Sequence, residues 1–201
     1  MQQTVFPSIL TDAFGPKSGA LRLAKQVVLV ISGIIALAMA AKISVPVWPS
    51  PVPVTMGTFA VLSIAAAYGT RLGLVTVMGY LLIGALGWDV FAGTSAEISG
   101  WTYMTGSTGG YLVGYVLATA LLGMLAARGW DRSVVWMSMA MLCGNILIYA
   151  PGLLWLGHLY GWDKPILAWG LTPFLMGDAF KLLLAAVLFP AVWKAVNAPR
   201  G

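Results

Sequence analysis

Hydrophobic residues in this chain fall in long blocks rather than in alternation. Six blocks, 25–41, 54–69, 72–88, 108–127, 133–156 and 171–193, are nearly free of charge and are separated by stretches rich in Gly, Pro, Trp and charged residues. A helix rises about 1.5 Å per residue, so roughly 20 apolar residues cross the ~30 Å hydrocarbon layer of a bilayer. The blocks predict six transmembrane helices, several near the short limit. Between the second and third stands only Gly69-Thr70-Arg71, a tight turn. Residues 165–169 leave room for one further, broken segment. Barrel strands would show about ten residues of alternating polarity, and these continuous blocks are too long for that.

Composition points the same way. The chain is 60% hydrophobic and 8% charged, with a mean hydropathy of +0.90, whereas soluble domains carry about 25% charged residues. In lipid only helices and closed barrels satisfy their backbone. The expectation is an all-α integral membrane protein, with a tail over 1–24, a six-helix membrane domain over 25–195 and a second tail over 196–201. Basic residues orient it. With both termini cytoplasmic, Lys17, Arg22, Lys25, Arg71, Arg128, Arg132, Lys194 and Arg200 lie inside, and Lys42 and Lys164 lie outside. That bias follows the positive-inside rule and requires an even number of spans. Trp48, Trp88, Trp101, Trp155, Trp162 and Trp169 then fall at or beyond the outer boundary, where indole rings are favoured.

The net charge of +5 is scattered between spans and does not suggest nucleic acid. Cys143 is the single cysteine, so neither a disulfide nor a metal site is indicated. Ala38-Met39-Ala40 resembles a signal cleavage site, but the basic region before it is long for a signal peptide, and the segment is read as retained. The outer connections are long and chemically varied. Residues 41–53 hold Pro46, Pro49, Pro51 and Pro53, a stiff non-helical stretch. Residues 89–107 are rich in Gly, Ser, Thr and aromatics, and 157–170 holds the single histidine, His158. Long ordered connections tend to be lids or binding loops, so something is captured from outside.

Asp178 and Lys181 stand inside the last apolar block. An ionisable group at the centre of a membrane helix costs about 2.5–3.5 kcal/mol on insertion scales, and such groups are usually functional. Their i, i+3 spacing places both on one helix face. The plain alternative is an ion pair that fixes helix packing; the favoured reading is a polar hook for a ligand. Aspartate accepts hydrogen bonds and lysine donates them, which suits an amide, ureido or lactam edge. Asn145, in Gly144-Asn145-Ile146, is a buried amide that serves either ligand contact or helix packing. Thr108-Gly109-Gly110-Tyr111 opens the fourth block. Thr108 is an N-cap candidate, and the freed N–H groups form a positive end. Gly106, Gly110, Gly114 and Ala118 recur every fourth residue as a small-residue stripe, of the packing type by itself. Ser32, Ala36 and Ala40 make a similar stripe in the first block, fit for packing or for docking a membrane partner. No phosphate loop, His-Glu-x-x-His or Gly-x-Ser-x-Gly motif occurs, which disfavours an enzyme using Asp178 as acid or base.

Several of these motifs together resemble the BioY family. They are Ala41-Lys42-Ile43-Ser44-Val45-Pro46 with Pro51-Val52-Pro53-Val54-Thr55, Gly84-Ala85-Leu86-Gly87, Val90-Phe91-Ala92-Gly93, Thr108-Gly109-Gly110-Tyr111-Leu112, Gly144-Asn145 with Tyr149, and Gly177-Asp178 with Lys181. The resemblance implies a six-helix S-component fold whose pocket near the outer face is closed by the first loop. It further implies a biotin-binding membrane subunit of an energy-coupling factor transporter, without a cofactor or enzymatic activity of its own. Partners would be a membrane coupling protein and a cytoplasmic ATPase pair, in a bacterial inner membrane. By the same resemblance, Asp178, Lys181 and Asn145 would meet the ureido head group. Trp48, Phe91, Trp101 and Tyr111 would enclose the remainder, and Ser32, Ala36 and Ala40 would form the docking face. With no arginine between Arg71 and Arg128, the ligand carboxylate is left to main-chain N–H groups at Thr108–Gly110, to Lys42 or to water. Other readings are an S component for thiamin or riboflavin, and a self-sufficient secondary transporter with Asp178 as proton carrier.

Overall fold

A computed structural model describes residues 9–16, 18–93 and 98–197 of the chain. Lys17 and Arg200, both counted above as cytoplasmic, lie outside the described residues, as do the ends of both tails. A 3-10 turn (Leu10–Ala13) precedes helix α1 (Gly19–Lys42). Strands β1 (Ser44–Val45) and β2 (Val54–Thr55) pair antiparallel, with Ser44 opposite Thr55 and Val45 opposite Val54. Helices α2 (Gly57–Ala85), α3 (Gly100–Met104) and α4 (Gly109–Ala127) follow. A second 3-10 turn (Trp130–Arg132) leads into α5 (Val134–Tyr160), α6 (Ile166–Gly170) and α7 (Thr172–Asn197).

α2 is not one rod. At Gly69 the backbone takes φ 73° and ψ 178°, a conformation open to glycine and strained for other residues. A Cβ built on Gly73 would lie 3.5 Å from the Cα of Ala65. In a straight helix residues eight apart are separated by about 12 Å. The chain therefore folds back, and arms 57–68 and 70–85 run antiparallel, as the Gly69-Thr70-Arg71 turn predicts. With this reversal, the five segments long and apolar enough to cross a membrane give six long apolar helices.

The helix ends shift from expectation. α1 begins at Gly19 rather than near residue 25, and α5 continues past Pro151 to Tyr160. Pro151 cannot donate to the Leu147 carbonyl, and its ring crowds the preceding turn. The α4 glycines come in there: a Cβ on Gly114 would sit 2.6 Å from Ile148 Cα and 2.8 Å from Leu147 O, and one on Gly110 would sit 2.3 Å from Pro151 O. The small-residue stripe is thus the seam along which α4 and α5 approach backbone to backbone.

Apolar side chains from α2, α4, α5 and α7 form the larger core, including Leu62, Leu122, Met141 and Ile148. A second cluster joins α1 and α2 to Phe91 and Tyr103. α1 stands apart: 11% of its apolar window is buried, against 61% for α4. Gly33, Leu37 and Ala41 face the bundle, while Ser32 and Ala36 are exposed and Ala40 is half-buried. Near the chain termini Asp131 is fully buried, its Oδ2 accepting from Trp193 Nε1 at 2.5 Å. Arg132 lies over the same indole, 4.3 Å from the ring centre.

Candidate ligand pocket

Segment 43–56 caps the end of the bundle opposite the termini. Its base is the β1–β2 ladder, and its prolines keep the intervening chain from becoming helical. Two side chains hold its tip. Ser50 Oγ donates to the Trp169 carbonyl at 2.7 Å while receiving the Val52 N–H at 3.0 Å. Ser107 Oγ donates to the Pro51 carbonyl at 3.0 Å. At the start of the segment, Lys42 pairs with Asp89 and donates to the Phe91 carbonyl at 2.8 Å.

Beneath this cap lies a cavity of about 50 Å³. One wall is Tyr80, Phe91 and Tyr103, with ring centres 5.2 Å and 4.9 Å apart along the row. The facing wall is Tyr111, Tyr115 and Phe174, with Tyr149 packed behind Phe174 at 6.1 Å. Thr55 and Thr58 supply a polar side. A wider vestibule of about 460 Å³ adjoins it and shares Pro53, Ala92, Tyr103 and Thr108 as lining. Burial pushes the Tyr103 phenol above its ordinary value, and a hydrogen bond with Thr108 opposes the shift.

The charged pair sits one layer behind the cavity. Asp178 and Lys181, 5% and 8% exposed, share a 2.9 Å ion pair. Lys181 Nζ also donates to the Thr55 carbonyl at 2.8 Å and to Thr58 Oγ1 at 3.0 Å, which uses all three ammonium protons. The Tyr149 hydroxyl donates to Asp178 Oδ2. Thr58 Oγ1 is also 3.5 Å from Asp178 Oδ1, at the outer limit for a hydrogen bond. Thr58 is thus the side chain that touches both the pair and the cavity. Lys181 pins the far end of the cap, because Thr55 belongs to β2.

The remaining predicted residues divide. Phe91, Thr108 and Tyr111 line the cavity. Asn145 is buried one turn from Tyr149, outside the cavity wall. Gly109 and Gly110 press against Met104, Pro151 and Trp155, so they serve helix packing. Trp48 and Trp101, 93% and 69% exposed, point away from the cavity, as amphipathic rings at a membrane boundary can. Thr108 precedes α4 without a side-chain cap bond. Lys42, a candidate for a ligand carboxylate, is engaged by Asp89 and Phe91.

Sequence reasoning named Thr55 and Tyr149 only as motif residues, without a site role, and passed over Thr58, Tyr80, Tyr103, Tyr115 and Phe174. One signal was available. The chain has seven tyrosines, and Tyr80, Tyr115 and Tyr149 stand inside apolar helices rather than at their ends. A phenol at that depth needs a polar partner, so their hydroxyls mark where polar groups gather.

Comparison with known proteins gives a consistent picture. The BioY family model matches residues 8–198. A probable biotin transporter BioY of Pyrococcus horikoshii is 33% identical over 165 residues, covering 82% of this chain and 94% of that protein. The biotin transporter BioY of Thermotoga maritima is 33% identical over 152 residues, covering 76% and 86%. The crystal structure of an S-component for biotin from an ECF-type ABC transporter superposes with a TM-score of 0.73 at 19% identity, covering 89% of this chain and 95% of that one. The fold is therefore that of an S component, and the chain, a multi-pass membrane protein, belongs to the BioY family.

Proposed function

We propose that this chain captures biotin from outside the cell and delivers it to an energy-coupling factor transporter, performing no chemistry itself. The observation that carries the reading is Thr58, which joins a buried ion pair to a cavity walled by aromatic rings. Biotin has a polar ureido edge, an apolar thioether ring and a carboxylated chain. The ureido edge meets Thr58 and, once the 3.5 Å contact of Thr58 gives way, Asp178 Oδ1. Charge-assisted hydrogen bonds in a dry site are the stronger kind. Asn145 completes the polar end through small shifts of Tyr149, and the aromatic walls enclose the thioether ring. The carboxylate lies in the vestibule among the hydroxyls of Ser44, Ser107 and Thr108.

Vitamin-sized ligands occupy pockets of about 300 Å³ or more, so access requires the 43–56 cap to lift. Its tip is held by two side-chain hydrogen bonds, each worth about 1 kcal/mol net, which keeps lifting inexpensive. The cap faces outward when both termini are cytoplasmic, the orientation favoured by the basic residues, in a bacterial inner membrane. The exposed α1 stripe of Ser32, Ala36 and Ala40 docks a membrane coupling protein, which in turn engages the ATPase pair. Proton carriage by Asp178 is the weaker reading. Both its oxygens are engaged and Lys181 neutralises its charge.

The test is equilibrium binding to the purified protein in detergent. Saturable biotin binding, displaced by ureido analogues and not by thiamin or riboflavin, is expected. Absence of saturable binding, or displacement by thiamin, would defeat the proposal.

A further inference from the structure

A second polar concavity lies at the opposite end of the bundle, beside the chain termini. It is a groove of about 480 Å³ between the first turns of α1, the Gly69 reversal of α2 and the segment before α1. Its mouth carries Arg22, Lys25 and Arg71, with Asp12 as the one acidic side chain in its lining. Its aliphatic side is Leu29, Leu72 and Val75. The groove is built rather than incidental. Lys25 Nζ donates to the Thr11 and Phe14 carbonyls at 2.9 and 2.8 Å, strapping the leading segment onto α1. Ile9 packs against Gly69, within 3.0 Å of where a Cβ would stand. Arg71 is exposed and forms no ion pair among the described residues.

We infer that this groove holds the headgroup of an anionic phospholipid. Cations at the mouth match a phosphate, and arginine does so with two parallel donors. The aliphatic wall continues from the mouth along α1 and α2 into the bundle's lipid-facing surface, where Val28 and Val75 are exposed, and gives an acyl chain a place to lie. A free phosphate would use the first feature and leave the second without a purpose. The site is independent of the biotin pocket, at the other end of the molecule. Basic pockets of this kind beside membrane helices select anionic headgroups.

Native mass spectrometry of the full chain, titrated with phosphatidylglycerol, phosphatidylcholine or inorganic phosphate, tests the inference. Phosphatidylglycerol should remain bound one to one at concentrations where phosphatidylcholine is lost, and millimolar phosphate should not displace it. Arg22→Gln with Arg71→Gln should weaken phosphatidylglycerol by roughly 25-fold, about fivefold per arginine. Arg128→Gln, at the same end but outside the groove, should leave it unchanged. Equal retention of the two lipids by the parent protein would overturn the proposal without reference to any variant. Displacement by phosphate would replace the lipid with a free anion, and an equal loss in Arg128→Gln would reduce the effect to general surface charge.

Discussion

Two aspartates are buried in this bundle, and their surroundings differ in kind. Asp178, near the capped end, is saturated: Lys181 and Thr58 meet one oxygen and Tyr149 the other. Asp131, at the other end, is as deeply buried, yet its Oδ2 accepts from the Trp193 indole while its Oδ1 has no hydrogen-bond partner among the described residues. Burial pushes the Asp131 carboxyl above its ordinary value, opposed by Trp193 and the nearby Arg132 charge. Depth alone therefore does not mark a ligand site. What distinguishes Asp178 is a matched countercharge, a hydroxyl shared with a cavity, and a lysine that grips the cap.

The largest effect should come from breaking the pair. Lys181→Met leaves Asp178 charged, buried and without its countercharge, which costs about 3–5 kcal/mol. Thermal unfolding should show a large loss. Replacing both partners with neutral residues, as Asp178→Asn with Lys181→Met, should recover most of that stability, since no lone charge remains. A double variant as unstable as the single one would mean that Asp178 and Lys181 are not energetically coupled.

Gly114 offers a site whose nearest neighbours are backbone alone, with no side-chain polar group. Gly114→Ala puts a methyl 2.6 Å from Ile148 Cα, and backbone cannot yield as a side-chain tip can. The expected loss is about 1–3 kcal/mol of stability, with the ratio of biotin to analogue affinity unchanged. A change in that ratio would tie the α4–α5 seam to ligand selection.

Thr58→Val removes the shared hydroxyl and keeps the shape. Its effect should fall on binding more than folding, with biotin affinity reduced on the order of tenfold, the worth of one hydrogen bond to a charged or polar group. Unchanged affinity with lowered stability would assign Thr58 to the cap anchor alone.

Asp131→Asn should have the smallest effect and the opposite sign. A carboxyl whose folded value is raised binds its proton more tightly in the folded state. Stability therefore falls as pH rises from the ordinary value of 3.8 toward the folded value, and stays lower above it. The amide removes that penalty, so the variant should unfold no earlier than the parent at pH 7 and show a flatter profile through the acidic range. A variant markedly less stable at pH 7 would mean that the carboxylate is compensated after all.

The transmembrane pattern was legible because lipid imposes long apolar blocks, and the Gly69 turn because three polar or flexible residues leave little alternative to a reversal. The Asp178–Lys181 contact followed from helical spacing alone. What stayed hidden depended on contacts between distant segments. Thr58 meets Lys181 across 123 residues of sequence and Ser50 meets Trp169 across 119, and no local period reports either. Trp48 and Trp101 suggested pocket walls by residue type, yet loop aromatics sit equally well at a membrane boundary. Gly109 and Gly110 suggested a ligand approach, whereas Gly109 admits the Met104 carbonyl at the end of α3 and Gly110 the backbone of α5.

The most direct measurement is biotin affinity in the Asp178→Asn, Lys181→Met double variant, determined by equilibrium dialysis on protein shown to be folded. If the pair is part of the recognition surface, binding falls by at least about tenfold, the worth of the one charge-assisted hydrogen bond to Asp178 Oδ1. If the folded double variant binds biotin as the parent does, the pair is helix packing and the polar end of the site lies elsewhere.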